Sequence, residues 1–321
     1  MALLTPLTLD EARALGTAYG LEISVIEPLA LGSVNSNFRL TTEDGALYFA
    51  RLYEEQALAG AEGELRLLQA LAAEGVPVAG PLETKDGRSV IEHRGKPFAL
   101  FPWVEGDWLC LRRVEEHHCR AVGEALARVH LATPRVGPLP VGRFRPEDML
   151  ARLDALPRDA SERLAPDVRR IRDRYAVYVS RRDAALPSGI CHGDLFRDNV
   201  LFRGDRVAAL LDFESVSFGS FVYDVAVTVL AWCYRDALIP ELARALGSGY
   251  ARVRRPTGAE LAALDVEAAL ACLRFATTRI TDFELRRAPN APPGRDYRRF
   301  LQRLAAVERG ALEPLREALG T

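Results

Sequence analysis

Hydrophobic and polar positions change rhythm once along the chain. In the first hundred residues, "LEISVIEPLA" (21–30), "SNFRLTTEDG" (36–45) and "ALYFARLYEE" (46–55) are apolar and β-branched runs parted by turn signals such as Asp44-Gly45, and they predict three antiparallel strands. Ahead of them, "TLDEARALGTAYG" carries a capping box, Thr8 with Glu11, and predicts a short helix closing at Gly20. Behind them, "GELRLLQALAAEG" places Leu65, Leu68 and Leu71 at helical spacing and stops at Gly75. "RSVIEH" and "PFALFPWVEG" then predict two more strands about the turn "RGK". From Val114 onward the period becomes helical, over 114–131, 160–184, 220–233, 260–287 and 296–318, with the Pro-rich 134–146 as a loop. One stretch departs from this: "NVLFRGDRVAALLDF" predicts two short strands around Gly204-Asp205. The expected fold class is therefore α+β, with a β-rich lobe over 1–103, an α-rich lobe over 104–321, and a cleft between them.

Composition narrows the function classes. The 321 residues are 49% hydrophobic, enough for a core in each lobe, and the net charge of -2 gives no global basic field for nucleic acid. Cys110, Cys119, Cys191, Cys233 and Cys272 form an odd set with no C-x-x-C spacing, which fits reduced thiols rather than a zinc site. The opening "MALLTPLTLDEAR" lacks a positive n-region, and no window approaches the ~18 apolar residues of a membrane span. A cytoplasmic protein with no nucleic-acid and no membrane partner is expected. Nothing in the sequence fixes the oligomeric state.

The chemistry is concentrated in "CHGDLFRDNVLFRGDRVAALLDFES", residues 191–215, where Asp194, Asn199 and Asp212 stand among Leu195, Val200, Leu201, Leu210 and Leu211. Carboxylates amid apolar residues must be compensated by pairing or by a metal. A pair of turn-capping aspartates would explain neither the spacing nor the apolar flanks. The spacing resembles the phosphoryl-transfer set of the protein-kinase-like fold, in which an Asp takes the acceptor hydroxyl proton, an Asn five residues on holds Mg²⁺, and a later Asp-Phe supplies a second Mg²⁺ ligand. That resemblance implies a bilobal kinase using ATP and Mg²⁺, with Asp194 catalytic and Asn199 and Asp212 as metal ligands. Gly193 cannot make the activation-loop ion pair that an Arg before the catalytic Asp makes in protein kinases. No A-P-E signature separates Asp212 from "YDVAVTVLAWC", so a peptide acceptor has no docking segment. Both points favour a small-molecule hydroxyl substrate.

On the nucleotide side, a cation is needed for the phosphates. Lys85 and Lys96 both fall in turns, whereas Arg51 in "LYFARLYEE" occupies the mid-strand place, with Glu64 on the next helix as its ion-pair partner. In "LALGSVNSNFRL", Gly32, Ser33 and Asn35 tolerate turn conformations that present backbone N–H groups to phosphate, although a plain polar hairpin turn fits equally well. "FPWVEG" resembles a kinase hinge, with the Pro102 carbonyl as acceptor and the Val104 N–H as donor for an adenine edge. His192 is expected to hold the catalytic loop and His130 to pack beneath it. His117 and His118 are expected to face solvent, and Asp198 to cap a turn.

"HGDLFRDNVLF" with "LLDFES" resembles the aminoglycoside phosphotransferase-like family over most of the chain. "GSVNSNFRL", "YDVAVTVLAWC" and "RFATTRITDFELRR" followed by "RDYRRFLQRL" narrow the resemblance to the bacterial homoserine kinases of this type. This implies L-homoserine as acceptor and a place in threonine biosynthesis. Choline, sugar or aminoglycoside kinases would use the same trio, but the basic cluster Arg286, Arg287, Arg295, Arg298 and Arg299 argues against a polycationic antibiotic. A non-catalytic pseudokinase is disfavoured by the intact trio. Arg279 and Asp282, three apart in "TTRITDF", share a helical face and form either the carboxylate and ammonium contacts of a zwitterionic acceptor or an ordinary helix ion pair.

Overall fold

The first helix starts where the capping box predicts. The Thr8 hydroxyl accepts the Glu11 N–H at 3.3 Å while the Glu11 carboxylate accepts the Thr8 N–H at 2.9 Å, and α1 (Leu9–Ala18) follows. The computed structural model describes residues 5–30, 34–137, 142, 144–285 and 296–321. Strands β1 (Ile23–Leu29), β2 (Ser36–Thr42) and β3 (Leu47–Leu52) form an antiparallel meander. Helix α2 (Leu58–Ala73) then crosses over, and β4 (Ile91–His93) and β5 (Lys96–Pro102) complete a sheet of order β1-β2-β3-β5-β4. Period-2 alternation sends Phe38, Leu40, Ala50, Leu52, Phe98 and Leu100 to one face, against Ala12 and Leu15 of α1. Arg51, opposite Ala99 in the ladder, has the other parity, which is the face Ala99 and Phe101 share with Leu65 and Leu71 of α2. This is why the strand cation meets the helix.

Beyond β5 the chain passes through Trp103 into α3 (Glu116–Leu131), α4 (Pro146–Asp154) and α5 (Arg158–Val179). Four short strands follow: β6 (Ser188–Cys191), β7 (Val200–Arg203), β8 (Arg206–Leu210) and β9 (Ser217–Ser220). The β7–β8 hairpin is the predicted one. The antiparallel β6–β9 pair was not predicted, because Ser and Gly in both strands erase the alternation. Helices α6 (Phe221–Trp232), α7 (Pro240–Val253), α8 (Gly258–Arg279), α9 (Arg298–Val307) and α10 (Glu313–Gly320) complete the larger part.

The differences from the predicted helices have local causes. Neither α4 nor α7 was predicted, and in α7 Gly247 and Gly249 interrupt the apolar pattern. Gly249 is there for close approach: a Cβ on it would lie 2.1 Å from the Arg120 carbonyl oxygen, and one on Gly123 2.2 Å from that of Leu246, so α3 and α7 pack backbone to backbone. The predicted 296–318 helix is broken by Gly310, whose φ of 80° ends one helix before α10 begins. The predicted 260–287 helix gives way after Arg279 to a π-helical turn, Ile280–Glu284. One continuous core joins Leu65 and Leu71 of α2 to Val122 and Leu126 of α3 and Trp232 of α6. No described helix is long and apolar enough to cross a membrane.

Candidate active site

Asp194 follows β6 in a loop whose backbone is held from below. Asp224, buried in the first turn of α6, accepts the His192 N–H at 2.6 Å and the Gly193 N–H at 2.8 Å. Burial pushes the Asp224 carboxyl up, but the His130 hydrogen bond at 3.2 Å and the loop N–H donors outweigh it and hold the group below the usual range. His130 is buried with its other ring nitrogen on the Tyr250 hydroxyl at 2.7 Å, and burial lowers its pKa. Gly193 has a φ of 73°, and a Cβ there would sit 3.2 Å from the Ser215 carbonyl oxygen, so glycine suits the position both conformationally and sterically. His192 ties two segments together: its Nε2 donates to the Leu211 carbonyl at 2.9 Å, and its Nδ1 accepts the Asp194 N–H at 3.3 Å.

The β7–β8 hairpin brings Asn199 and Asp212 to opposite ends of one clasp. The Leu211 N–H donates to the Asn199 carbonyl at 2.9 Å, and Asn199 Nδ2 donates to the Asp194 carbonyl at 2.8 Å, so Oδ1 is the side-chain atom left to accept or to coordinate. Asp212 is exposed and left-handed, with φ 61° and ψ 66°. For a non-glycine residue this costs on the order of 1 kcal/mol and is typical of functional positions. An amide oxygen and a carboxylate are the hard donors that Mg²⁺ takes. Asp194 itself is about a third exposed, and burial, outweighing nearby Arg274, raises its pKa above the ordinary carboxylate value.

On the nucleotide side, Arg51 Nη1 lies 3.4 Å from Glu64 Oε1, and its Nε donates to Asn37 Oδ1 at 3.3 Å. Glu214, two residues beyond Asp212, sits 4.0 Å from Arg51 and accepts from Asn35 Nδ2 at 2.8 Å. Asn35 Oδ1 takes the Glu54 N–H at 3.1 Å, so its side chain bridges the sheet and the Asp212 segment. Gly32 and Ser33 lie outside the described residues. Pro102 closes the β3–β5 ladder opposite Tyr48, and the Trp103 N–H next to it donates to the Leu47 carbonyl at 3.3 Å, with Val104 following.

The acceptor side differs from the sequence expectation. Arg279 lies over the Phe300 ring, 4.4 Å from its centroid, with Nη1 donating to the Asp296 carbonyl at 3.1 Å. Asp282 is bound by Arg152 at 3.1 Å. From the same run of chain it is Arg274 of α8 that reaches the catalytic loop, with Nη1 donating to the Gly193 carbonyl and 3.7 Å from Asp194 Oδ1. A cavity of about 380 Å³ opens there, lined by Gly193, Ser215, Ser220, Tyr223 and Arg274 among others, and neither Arg279 nor Asp282 lines it. Sequence reasoning missed Arg274 and Glu214. The signal for Arg274 was a charge inside the otherwise apolar "ALACLRFA", the kind of anomaly that marked Asp194.

His118 corrects another expectation: it is buried, its Nδ1 accepting the Glu115 N–H at 3.2 Å as a cap for α3. Its Nε2 lies 3.1 Å from that of His117, which is 3.2 Å from Asp205. Because His118 Nδ1 is an acceptor, the neutral ring carries its proton on Nε2, and the trio lacks the free lone pair of a third metal ligand.

Known proteins share the family and the fold. A model of a phosphotransferase enzyme family, APH, matches residues 25–255. A homoserine kinase of Sinorhizobium fredii is 35% identical over 294 residues, covering 88% of this chain and 87% of that protein. A homoserine kinase of Bradyrhizobium diazoefficiens is 35% identical over 308 residues, covering 92% and 89%. Among solved structures, an amicoumacin kinase in complex with AMP-PNP, Ca²⁺ and Ami superposes with a TM-score of 0.69 at 18% identity, covering 95% of this chain and 93% of that one. A microcompartment-associated aminopropanol kinase gives 0.67 at 18% identity, covering 96% and 99%. The shared fold is that of protein-kinase-like phosphotransferases, a β-sheet lobe on a larger helical one.

Proposed function

Because the chain belongs to the APH phosphotransferase enzyme family, we propose that it transfers the γ-phosphoryl group of ATP to the side-chain hydroxyl of L-homoserine, a step of threonine biosynthesis. The observation that carries the acceptor is the 35% identity to homoserine kinases over 88% of the chain. The phosphotransfer chemistry is supported by Asp194 standing on a loop clasped to Asn199 and the Asp212 segment.

Residues 1–103 act as the nucleotide lobe and 104–321 as the catalytic and acceptor lobe. The Pro102 carbonyl and Val104 N–H take the adenine edge. Arg51, steadied by Glu64, holds the phosphates. Asn199 Oδ1 and the Asp212 carboxylate would hold Mg²⁺, which when bound screens the negative charge on the phosphates.

Asp194 orients the acceptor hydroxyl and accepts its proton. The acceptor oxygen bonds to the γ-phosphorus as the bond from that phosphorus to the β,γ-bridging oxygen breaks, and ADP leaves with that oxygen. Burial helps here, since a carboxylate with a raised pKa is the stronger base. The test is ADP release, at saturating ATP and Mg²⁺, across homoserine, choline, aminopropanol, sugars and aminoglycosides. Homoserine is expected to exceed the others in kcat/KM by at least ~10-fold. A higher value for any other acceptor, or no turnover of homoserine, overturns the substrate assignment.

A further inference from the structure

Arg274 is a buried cation with an incomplete set of partners. The residue is 4% exposed, and its guanidinium lies against two rings, Phe144, 4.0 Å from the ring centroid, and Phe275, 4.2 Å away. Stacking on two aromatic faces fixes the plane of the group and offsets part of its desolvation. Its polar contacts all lie on one side: Nη1 donates to the Gly193 carbonyl and stands 3.7 Å from Asp194 Oδ1. Nε is buried with no hydrogen-bond partner among the described residues. An unmade hydrogen bond on a buried charged group is costly, and a donor left open in this way signals a ligand that completes it.

The surroundings indicate the chemistry of that ligand. Arg274 lines the cavity of about 380 Å³ beside the catalytic loop. Two other described cations line it, and both are engaged: Arg182 makes a two-point contact with Glu267 at 2.8 and 3.1 Å, and Arg145 is bound by Asp148 at 2.9 Å. Among the described cavity-lining cations, Arg274 is thus the one with an open donor edge. The buried Ser220 Oγ, also without a hydrogen-bond partner, lines the same cavity. With Nη1 turned to the loop, Nε and Nη2 form the side edge of the guanidinium, and two parallel N–H groups there match a carboxylate.

We infer that Arg274 is the carboxylate anchor of the acceptor site: its Nε and Nη2 edge takes the α-carboxylate of an amino-acid alcohol, while its Nη1 edge holds the loop that carries Asp194. One side chain then sets the distance between the acceptor's anchored end and the base that receives its hydroxyl proton, as orientation of a short substrate requires. The inference rests on the homoserine reading above and adds the residue that separates an amino acid from an amino alcohol. It also assigns the carboxylate contact to Arg274 in place of Arg279.

The test compares homoserine with homoserinol, which replaces the carboxylate by a hydroxymethyl group, in the wild type, Arg274→Lys and Arg274→Met. Met fills much of the space between the two rings, and a thermal melt of each variant checks folding. The expected result is a kcat/KM for homoserine that falls on the order of 10- to 100-fold in Arg274→Met, chiefly through KM, with a smaller fall for homoserinol, so that the preference for the carboxylate collapses. Lys, which keeps the charge but not the two-point geometry, should recover part of it. Equal losses on both acceptors would mean that Arg274 only positions the loop, and would overturn the inference. If the wild type turns over no homoserine, the substrate reading fails by itself. The anchor is then decided by binding: L-2-aminobutyrate should raise the wild-type melting temperature more than its amide does, and Arg274→Met should abolish that difference. No difference in the wild type would overturn the anchor.

Discussion

The loop of Asp194 and the cavity proposed for the acceptor lie side by side, yet they are built in different ways. Asp194, Asn199 and Asp212 are fixed by one hairpin within a short continuous stretch, through the Asn199–Asp194 and His192–Leu211 hydrogen bonds. The cavity draws Phe144, Tyr175, Ser220, Leu270 and Arg274 from segments far apart in the chain. A site made by one local segment has its internal spacing set by that segment, while Asp224 of α6 supports it from below. A site assembled from several elements changes shape with each of them, which suits a family in which one reaction serves many acceptors.

The largest effect should come from the locally built side. Asp194→Asn keeps the shape of the side chain but removes its base, so kcat should fall on the order of 10² to 10⁴ while ATP affinity in a calorimetric titration holds. A parallel loss of ATP binding would show that Asp194 is structural, and the contrast between the two regions would lose its chemical meaning.

Next is the support beneath the loop. Asp224→Asn leaves one of the two N–H groups of His192 and Gly193 facing an amide donor instead of a carboxylate oxygen. An unsatisfied buried donor costs about 1–3 kcal/mol, so denaturant unfolding should report a loss of that size, together with a lower kcat and little change in KM for ATP. Full wild-type stability would mean that the loop holds itself in place.

How much of each region was legible follows from the same contrast. The trio could be read because its spacing is a local property, and the β7–β8 hairpin between Asn199 and Asp212 carries its own turn signal. Arg51 and Glu64 were legible for a related reason: strand parity and helical spacing bring them to one face, where they lie 3.4 Å apart. Asp224 and Arg274 were not read as loop contacts, since nothing in a one-dimensional pattern says which buried charge meets which loop. Arg279 and Asp282 show the limit of spacing alone. The π-helical turn over Ile280–Glu284 and the approach of Arg152 and Phe300 decide where those two side chains go. The helix α7 was hidden by Gly247 and Gly249, which let it approach α10 and α3.

The pH dependence of folding should report the support of the loop as well. His130 is buried and neutral, with Nε2–H donating to Asp224 and Nδ1 accepting from Tyr250, and burial lowers its pKa below the unfolded value of about 6.5. Its contribution is therefore complete above that unfolded value and declines as pH falls below it, because the unfolded chain then binds the extra proton. Asp224, also depressed, loses its contribution only at more acid pH, below the unfolded carboxylate value of about 3.9. From pH 7.5 to 5.5 the melting temperature should fall. His130→Gln should give a lower but flatter profile; His118, shifted in the same direction, adds slope of the same sense, and the buried carboxyls of Glu64, Asp194 and Glu267, shifted upward, oppose it. Equal slopes in the two proteins would show that His130 takes up its proton alike in the folded and unfolded chain, and that its burial leaves no mark on the pH dependence.

The smallest effect should separate the two arginines of the acceptor side. Arg279 and Arg274 each lie over an aromatic ring and both sit late in α8, so sequence spacing alone ranks neither above the other. Their donors differ. Arg279 Nη1 is taken by the Asp296 carbonyl at 3.1 Å, and the carboxylate expected to share its ligand, Asp282, is bound by Arg152. Arg274 keeps its Nε open beside the loop that carries Asp194. If an anchor must combine an open donor edge with proximity to the base, Arg279→Ala should shift the KM for homoserine by less than ~3-fold, against the one to two orders expected for Arg274→Met. Initial-rate kinetics at saturating ATP measure both. A rise of ~10-fold or more in Arg279→Ala, with Arg274→Met indifferent to the acceptor carboxylate, would return the contact to Arg279. The acceptor would then bind toward the far end of α8, and the cavity beside Gly193 would serve another part of the reaction.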